Sequence, residues 1–275
     1  MHVTNVDQAN AWDGDEGELW AARHEQLDAV LGHYQAAFEG ASDIRRGDRV
    51  LDIGCGTGAT TRAAARAAGE GSAFGVDLSS SMIDVARGLA AREGLTRATF
   101  ARADAQVHPF VPKEHDAVIS RTGAMFFGQP EEAFANIARS MRSGGRLTLL
   151  TWQPPAANPW FGAFASALLG VVPAPPRGAA GPFSMSDPDD VNGLLGTTGF
   201  SRIEITGLTG PTTYGRSIDE AQELLTGLLA WMLQKRPPAD RPRALQALRD
   251  TLAAHAGPDG VQFDSATWLV AARRD

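Results

Sequence analysis

The stretch Val50-Leu51-Asp52-Ile53-Gly54-Cys55-Gly56-Thr57-Gly58 limits the fold of this chain more than any other. Val50, Leu51 and Ile53 read as a buried strand, glycine then recurs at every second position, and a helix-forming run from Ala59 to Ala68 follows at once. Glycines there remove the Cβ atoms that would block a tight turn, and they let the main chain touch a nucleotide-like ligand. A strand, turn and helix in that order belong to a parallel sheet, with the turn at its ligand-binding edge. Gly54, Gly56 and Ala59 also satisfy the looser dinucleotide pattern Gly-x-Gly-x-x-Gly/Ala, so the turn alone leaves the ligand open.

The residues around the turn repeat the same unit. Strands are expected over 49–53, 73–77, 97–101, 116–121 and 146–152. One helix spans Ala59 to Ala68 and stops at Gly69. A second opens at Ser79 to Ser81, carries Met82, Val85, Ala86 and Leu89 on one face, and stops at Gly94. A third starts at Pro130 with Glu131 and Glu132 in its first turn. The expected class is α/β, a doubly wound, mostly parallel, seven-stranded Rossmann-like sheet, with 200–208 and 261–273 as its last strands.

Ahead of the sheet, Glu16 to Phe38 sets Trp20, Leu27, Leu31, Tyr34 and Phe38 on one apolar stripe, which predicts an N-terminal helix lying on the sheet domain. Pro/Gly-rich segments at 153–159 and 173–182 flank the aromatic run Trp160 to Phe164 and read as loop or lid. Helices follow from Asp187-Pro188 to near Gly199 and over 217–235 and 239–256. The chain thus divides into an N-terminal cover (1–45), an α/β core (46–152), a loop and helix lid (153–199) and C-terminal strands (200–275) with a helical insertion (217–256).

Three acidic residues fall at the ends of successive strands on one sheet edge: Asp52, Asp77 and Asp104. A carboxylate after the second strand suits two ribose hydroxyls, one in the third loop suits an adenine amino group, and one beside the glycine turn suits an ammonium or sulfonium. That set describes an adenosine with a cationic amino-acid tail rather than a pyrophosphate. The net charge of −7 and the absence of a dense Lys/Arg cluster speak against nucleic acid as a partner. No apolar run approaches the roughly 18 residues of a bilayer span. The single cysteine, Cys55, excludes an intrachain disulfide and a multi-cysteine metal site, and no metal is expected. The first residues lack the pattern of a secretion signal, so a cytoplasmic location is expected.

With these residues in view, Arg49 to Trp152 resembles the class I S-adenosylmethionine-dependent methyltransferases. Val50 to Thr60 is similar to their first motif, Gly75-Val76-Asp77-Leu78-Ser79 with Met82 to the second, and Ala103-Asp104-Ala105 to the third. Asp116 to Arg121 is similar to their fourth strand, and Arg142-Ser143-Gly144-Gly145 with 146–151 to the end of the core. The run Trp12 to Trp20 and the run Ser120 to Phe127 further resemble a bacterial, natural-product subgroup acting on small molecules. The long segment 209–260 departs from its simplest members. The resemblance implies S-adenosylmethionine as cofactor and S-adenosylhomocysteine as product. It implies cofactor contacts from Trp12, Trp20, Asp52, Gly54, Cys55, Gly56, Thr57, Gly58, Asp77, Leu78, Met82, Ala103, Asp104, Ala105, Arg121 and Thr122. The two tryptophans would close over the cofactor, and Arg121 with Thr122 would line its methionine end.

The acceptor implied is a hydrophobic small molecule, methylated at O, C or N. Aromatic side chains rarely gather in Pro/Gly-rich loops without a cavity to cover, which points to Trp152, Trp160, Phe161, Phe164 and Phe183 as pocket lining, with Tyr34, Phe126 and Phe127 beside them. Methyl transfer from a sulfonium is an in-line displacement that depends on orientation and exclusion of water, and a general base is optional. His24, one turn beyond Trp20, is the candidate base or orienting group, against a plain surface histidine. His33 and Tyr34 carry the same two readings as His24, His108 and His115 read as structural, and Cys55 as a small packed residue. A cofactor-binding cyclase or non-methylating protein of the same fold is the alternative. A nicotinamide-dependent oxidoreductase is less favoured, because Phe38 and Ile218 stand where a Tyr-x-x-x-Lys pair would need lysine after Tyr34 and Tyr214. Oligomeric state stays open, with a homo-oligomer among the expected partners.

Overall fold

The alternation from Arg49 onward forms a parallel sheet in the computed structural model, which describes residues 2–173 and 179–275. Strands β1 (Arg49–Ile53), β2 (Ser72–Asp77), β3 (Ala98–Arg102), β4 (His115–Arg121) and β5 (Met141–Trp152) run parallel. Two long strands, β6 (Phe200–Gly215) and β8 (Gly260–Arg274), pair antiparallel with each other, and β8 pairs antiparallel with β5. The order is β3-β2-β1-β4-β5-β8-β6, and the two-residue β7 (Ala256–Gly257) pairs on β8. The strand order reverses between β1 and β4, the place where open α/β sheets bind ligands.

The helices are α1 (Val6–Trp12), α2 (Asp15–Ala22), α3 (His24–Val30), α4 (Gln35–Ser42), α5 (Ala59–Ala68), α6 (Ser80–Arg92), α7 (Pro130–Ser140), α8 (Pro159–Leu169), α9 (Pro188–Thr197), α10 (Ile218–Leu228), α11 (Ala230–Gln234) and α12 (Arg241–Ala253). Their starts follow from local chemistry. Ser79 caps α6 by accepting from the Met82 N–H, Asp187 caps α9 ahead of Pro188, and Ser217 caps α10 by accepting from the Glu220 N–H. Two buried clusters result. One fills the sheet and its helices around Leu51, Ile83, Phe134, Leu149 and Phe200. The other joins α3, α8 and α10 to α12 around Leu27, Phe164, Leu224, Leu248 and Phe263, and Trp160 packs against both.

Four local expectations change. The helix expected over Glu16 to Phe38 is broken at Arg23 and again at Leu31, where the backbone leaves helical geometry and a 3-10 turn, Gly32–Tyr34, intervenes. A straight helix of that span would be about 34 Å long, and the bends let the stripe serve both Trp20 at the sheet edge and Phe38 in the core. The aromatic run at 160–164 is not loop but the first half of α8. Strand β6 continues past residue 208 because its ladder with β8 runs on to Gly215 and Val261. The 217–235 helix divides into α10 and α11. Residues 174–178 of the expected lid lie outside the described residues.

Asp48, just ahead of β1, and Arg146 of β5 form an ion pair with both side chains 7% exposed, and Asp48 also accepts from the Arg45 N–H at 2.7 Å. Removing one partner of a buried pair leaves the other charge uncompensated. Asp48→Ala is expected to lower unfolding free energy by about 3–5 kcal/mol in a urea titration.

Candidate active site

The turn after β1 has left-handed backbone at all three glycines, with φ of 64° at Gly54, 53° at Gly56 and 78° at Gly58. Two of them are also fixed by contact. A Cβ on Gly54 would lie 2.7 Å from the Gly123 Cα, and one on Gly58 would lie 2.6 Å from the Phe100 ring. The Gly56 N–H donates to Asp77 Oδ2 at 2.8 Å, and the Ser79 N–H donates to Asp77 Oδ1 at 2.9 Å. Asp77 is buried, and burial pushes its carboxyl above the usual carboxylate range. Such a carboxylate gains from further hydrogen-bond donors, which a vicinal diol supplies.

A cavity of about 480 Å³ opens from this turn. Its polar end is lined by Gly54, Cys55, Gly56, Thr57, Asp77, Leu78, Met82, Ala103, Asp104 and Ala105. Trp12 and Trp20, in edge contact at 5.7 Å between ring centroids, line it from the N-terminal cover, and Trp12 meets Phe126 at 5.1 Å. Arg121 and Thr122 line it from the end of β4, where Thr122 holds a left-handed φ of 65° that a β-branched residue seldom adopts. Beyond them the wall is apolar: Phe127, Trp152, Trp160, Phe161 and Phe164 meet Leu225, Leu228, Leu229 and Met232 of the helical insertion.

Several expected residues stand elsewhere. Tyr34 is buried in the core, where its hydroxyl pairs with Ser265 Oγ at 2.7 Å and with the Gly210 carbonyl at 3.3 Å, so it does not line the cavity. Phe183 lies behind the wall, stacked on Trp160 and in edge contact with Phe161. His24 follows the break at Arg23, which turns it off the line of Trp20, and it does not reach the cavity. Gly58 is spaced behind the turn by Phe100.

Asp52 is not at the cavity surface either. Its Oδ2 accepts from the Thr60 and Thr61 hydroxyls, both at 2.6 Å, and its fully buried Oδ1 has no partner among the described residues. Desolvation pushes this carboxyl up to about 6. Asp104 lines the cavity, yet its oxygens already accept from the Thr4 and Asn5 N–H groups, the Thr4 hydroxyl and the Gln106 N–H. It thereby fastens the first residues of the chain across the sheet edge, and Asn5 completes the strap by donating to the Phe126 carbonyl at 2.8 Å. Cys55 is buried, and burial pushes its thiol well up, which makes it inert as a nucleophile.

This geometry meets its counterpart among known proteins. Residues 50–145 match the family model of a methyltransferase domain. The structure superposes on the YcgJ protein of Bacillus subtilis with a TM-score of 0.60 at 19% identity, over 89% of this chain and 99% of that one. This chain carries the class I S-adenosylmethionine-dependent methyltransferase fold. An uncharacterised protein of Mycobacterium tuberculosis is 34% identical over 64% of this chain and 61% of its own length. The ubiquinone/menaquinone biosynthesis C-methyltransferase of Pseudomonas aeruginosa is 34% identical over 42% of this chain and 46% of its own length. The chain thus spans less than two thirds of these relatives.

Within the methyltransferase fold, Asn5, Gln8, Asp28 and Tyr214 line the cavity without having been singled out from the sequence, and the insertion 217–256, open from the sequence between a substrate lid and a subunit interface, supplies part of its wall. The spacing of Leu225, Leu228, Leu229 and Met232 marks one helical face and was a usable signal. Asp28 and Tyr214 carried none, because the bend in the N-terminal cover and the length of β6 bring them in. The raised Asp52 carboxyl has a sign that can be checked. Its neutral form is favoured in the fold, so its contribution to stability is complete below about pH 4 and is lost as pH rises through about 6, a change worth about 3 kcal/mol. Asp52→Asn is therefore expected to gain about that much on the wild type between pH 4 and pH 7, measured by thermal or denaturant unfolding at both ends.

Proposed function

We propose that this protein is an S-adenosylmethionine-dependent methyltransferase that moves a methyl group to O, C or N of a hydrophobic small molecule. The observation that carries the reading is one continuous cavity with a glycine turn and a buried carboxylate at one end and an aromatic, aliphatic chamber at the other. S-adenosylmethionine, when bound, supplies a methyl group activated on a sulfonium.

In this reading the glycine turn lets the main chain approach the cofactor, and Asp77 accepts from the ribose hydroxyls. Leu78, Met82, Ala103 and Ala105 form the apolar sides of the adenine site, and Asp104 holds the N-terminal strap beside it. Trp12 and Trp20 cover the cofactor, and Arg121 and Thr122 stand at its methionine end. The apolar chamber receives the acceptor between α3, α8 and α10. No histidine or lysine is among the described residues that line the cavity. The protein's contribution is to align two ligands and to keep water out, which lowers the barrier.

Calorimetric titration tests this directly. The wild type is expected to bind S-adenosylmethionine and S-adenosylhomocysteine and to ignore NAD. Asp77→Ala is expected to weaken both by about 5- to 150-fold, the loss of about 1–3 kcal/mol of charge-assisted hydrogen bonding. Binding of NAD in their place would overturn the reading.

A further inference from the structure

The apolar chamber adjoins a charged pair whose two members are occupied unequally. Arg121, with its side chain 12% exposed, gives one guanidinium nitrogen to Asp28 Oδ1 and another to Gln35 Oε1 at 2.8 Å. The cation is thus spent on the N-terminal cover. Asp28, with its side chain 32% exposed, gives Arg121 only Oδ1, and Oδ2 receives no hydrogen bond from the described residues. Both side chains line the cavity.

Their place matters. Arg121 ends β4 two residues before Gly123, whose backbone lies against Gly54 of the glycine turn. Asp28 sits on α3 between Leu27 and Leu31, which line the apolar chamber. The pair therefore marks the seam between the two ends of the cavity. Asp77 and Asp104 belong to the glycine-turn end and already accept from main-chain N–H groups. Glu16 also lines the cavity, but from α2 and as an exposed residue, whereas Asp28 is in direct contact with Arg121. Asp28 is the carboxylate left with an open oxygen at the seam.

We propose that Asp28 is the polar anchor of the acceptor site. Its Oδ2 accepts a hydrogen bond from a hydroxyl or N–H on an otherwise apolar, uncharged acceptor. The same carboxylate repels anionic acceptors, because Arg121 is already neutralised by it and an acidic ligand would face Asp28 unpaired. This rests on the methyltransferase reading above and adds a ligand class: neutral, largely hydrocarbon, with one hydrogen-bond donor to be held at the seam.

Three probes of one shape separate the possibilities: 4-butylphenol, 4-butylanisole, which lacks the donor, and 4-butylbenzoate, which is anionic. Calorimetry with the wild type is expected to rank phenol over anisole by about tenfold and to detect the benzoate least. Asp28→Ala frees the Arg121 guanidinium, so the order is expected to change: the phenol loses its advantage and the benzoate gains about tenfold or more. A variant that had merely lost its fold would lose all three, whereas an inverted order requires an intact chamber. Equal affinities in the wild type, no binding of any probe, or an unchanged order in Asp28→Ala overturns the proposal. Wild-type titration with S-adenosylhomocysteine is read separately. Its failure overturns the cofactor reading, whereas cofactor binding with an unchanged probe order overturns only the role of Asp28.

Discussion

Two backbones meet where β1 and β4 diverge, and the rest of the site follows from that meeting. A Cβ on Gly54 would strike the Gly123 Cα at 2.7 Å, and one on Gly123 would strike the Gly54 Cα at 2.8 Å. Only paired glycines let the two strand ends approach this closely. The approach sends the chain after β1 into left-handed turns and opens the cavity at the sheet edge. It also forces the preceding residue of the second turn, Thr122, into a conformation its β-branched side chain resists, with its hydroxyl donating to the Arg121 carbonyl at 2.7 Å. Arg121 is thereby aimed across the cavity toward Asp28.

The N-terminal cover is anchored by an apolar seam, with Leu27, Val30, Leu31, Tyr34 and Phe38 buried in the two cores, and polar contacts pin it along the sheet edge. Asp104 takes the main chain of Thr4 and Asn5, Asp13 takes the N–H and hydroxyl of Ser80 and pairs with Arg102, and Asp28 takes Arg121. Together the contacts reach the ends of β3 and β4 and the start of α6. The contacts range from the buried Asp104–Asn5 bond to the partly exposed Asp13–Arg102 pair, and the exposed ones are individually weak. The cover lines the cavity with Trp12 and Trp20 and shields its interior from water.

The parallel core was legible from Arg49 onward because hydrophobic runs, capping residues and glycine stops agreed there, and β1 and α5 match the expected bounds. The site was legible where a residue's position in its element determined its direction, as for Asp77 after β2 and Trp152 at the end of β5. It was not where direction depended on tertiary packing. Asp52 shares a strand end with the other acids, yet strand alternation turns it toward Thr60 and Thr61. His24 looked adjacent to Trp20 only on an unbroken helix. Tyr34 fits the apolar stripe but finds Ser265 on the distant β8. For Asp52 the alternation was there to be read, whereas for His24 and Tyr34 no local pattern encodes the outcome.

The long β6 and β8 strands carry a different implication. Gly215 and Val261 are register partners, so the forty-odd residues that form α10 to α12 leave and rejoin the sheet at one point. An insertion whose two ends are already hydrogen-bonded together can vary in length and composition while the β-ladder below it is preserved. The chamber wall made by Leu225, Leu228, Leu229 and Met232 is in this sense a cassette, mounted on a hairpin and remote in the chain from the glycine turn. Changes in the molecules this chamber admits can accumulate there while the nucleotide-facing edge of the sheet stays as it is.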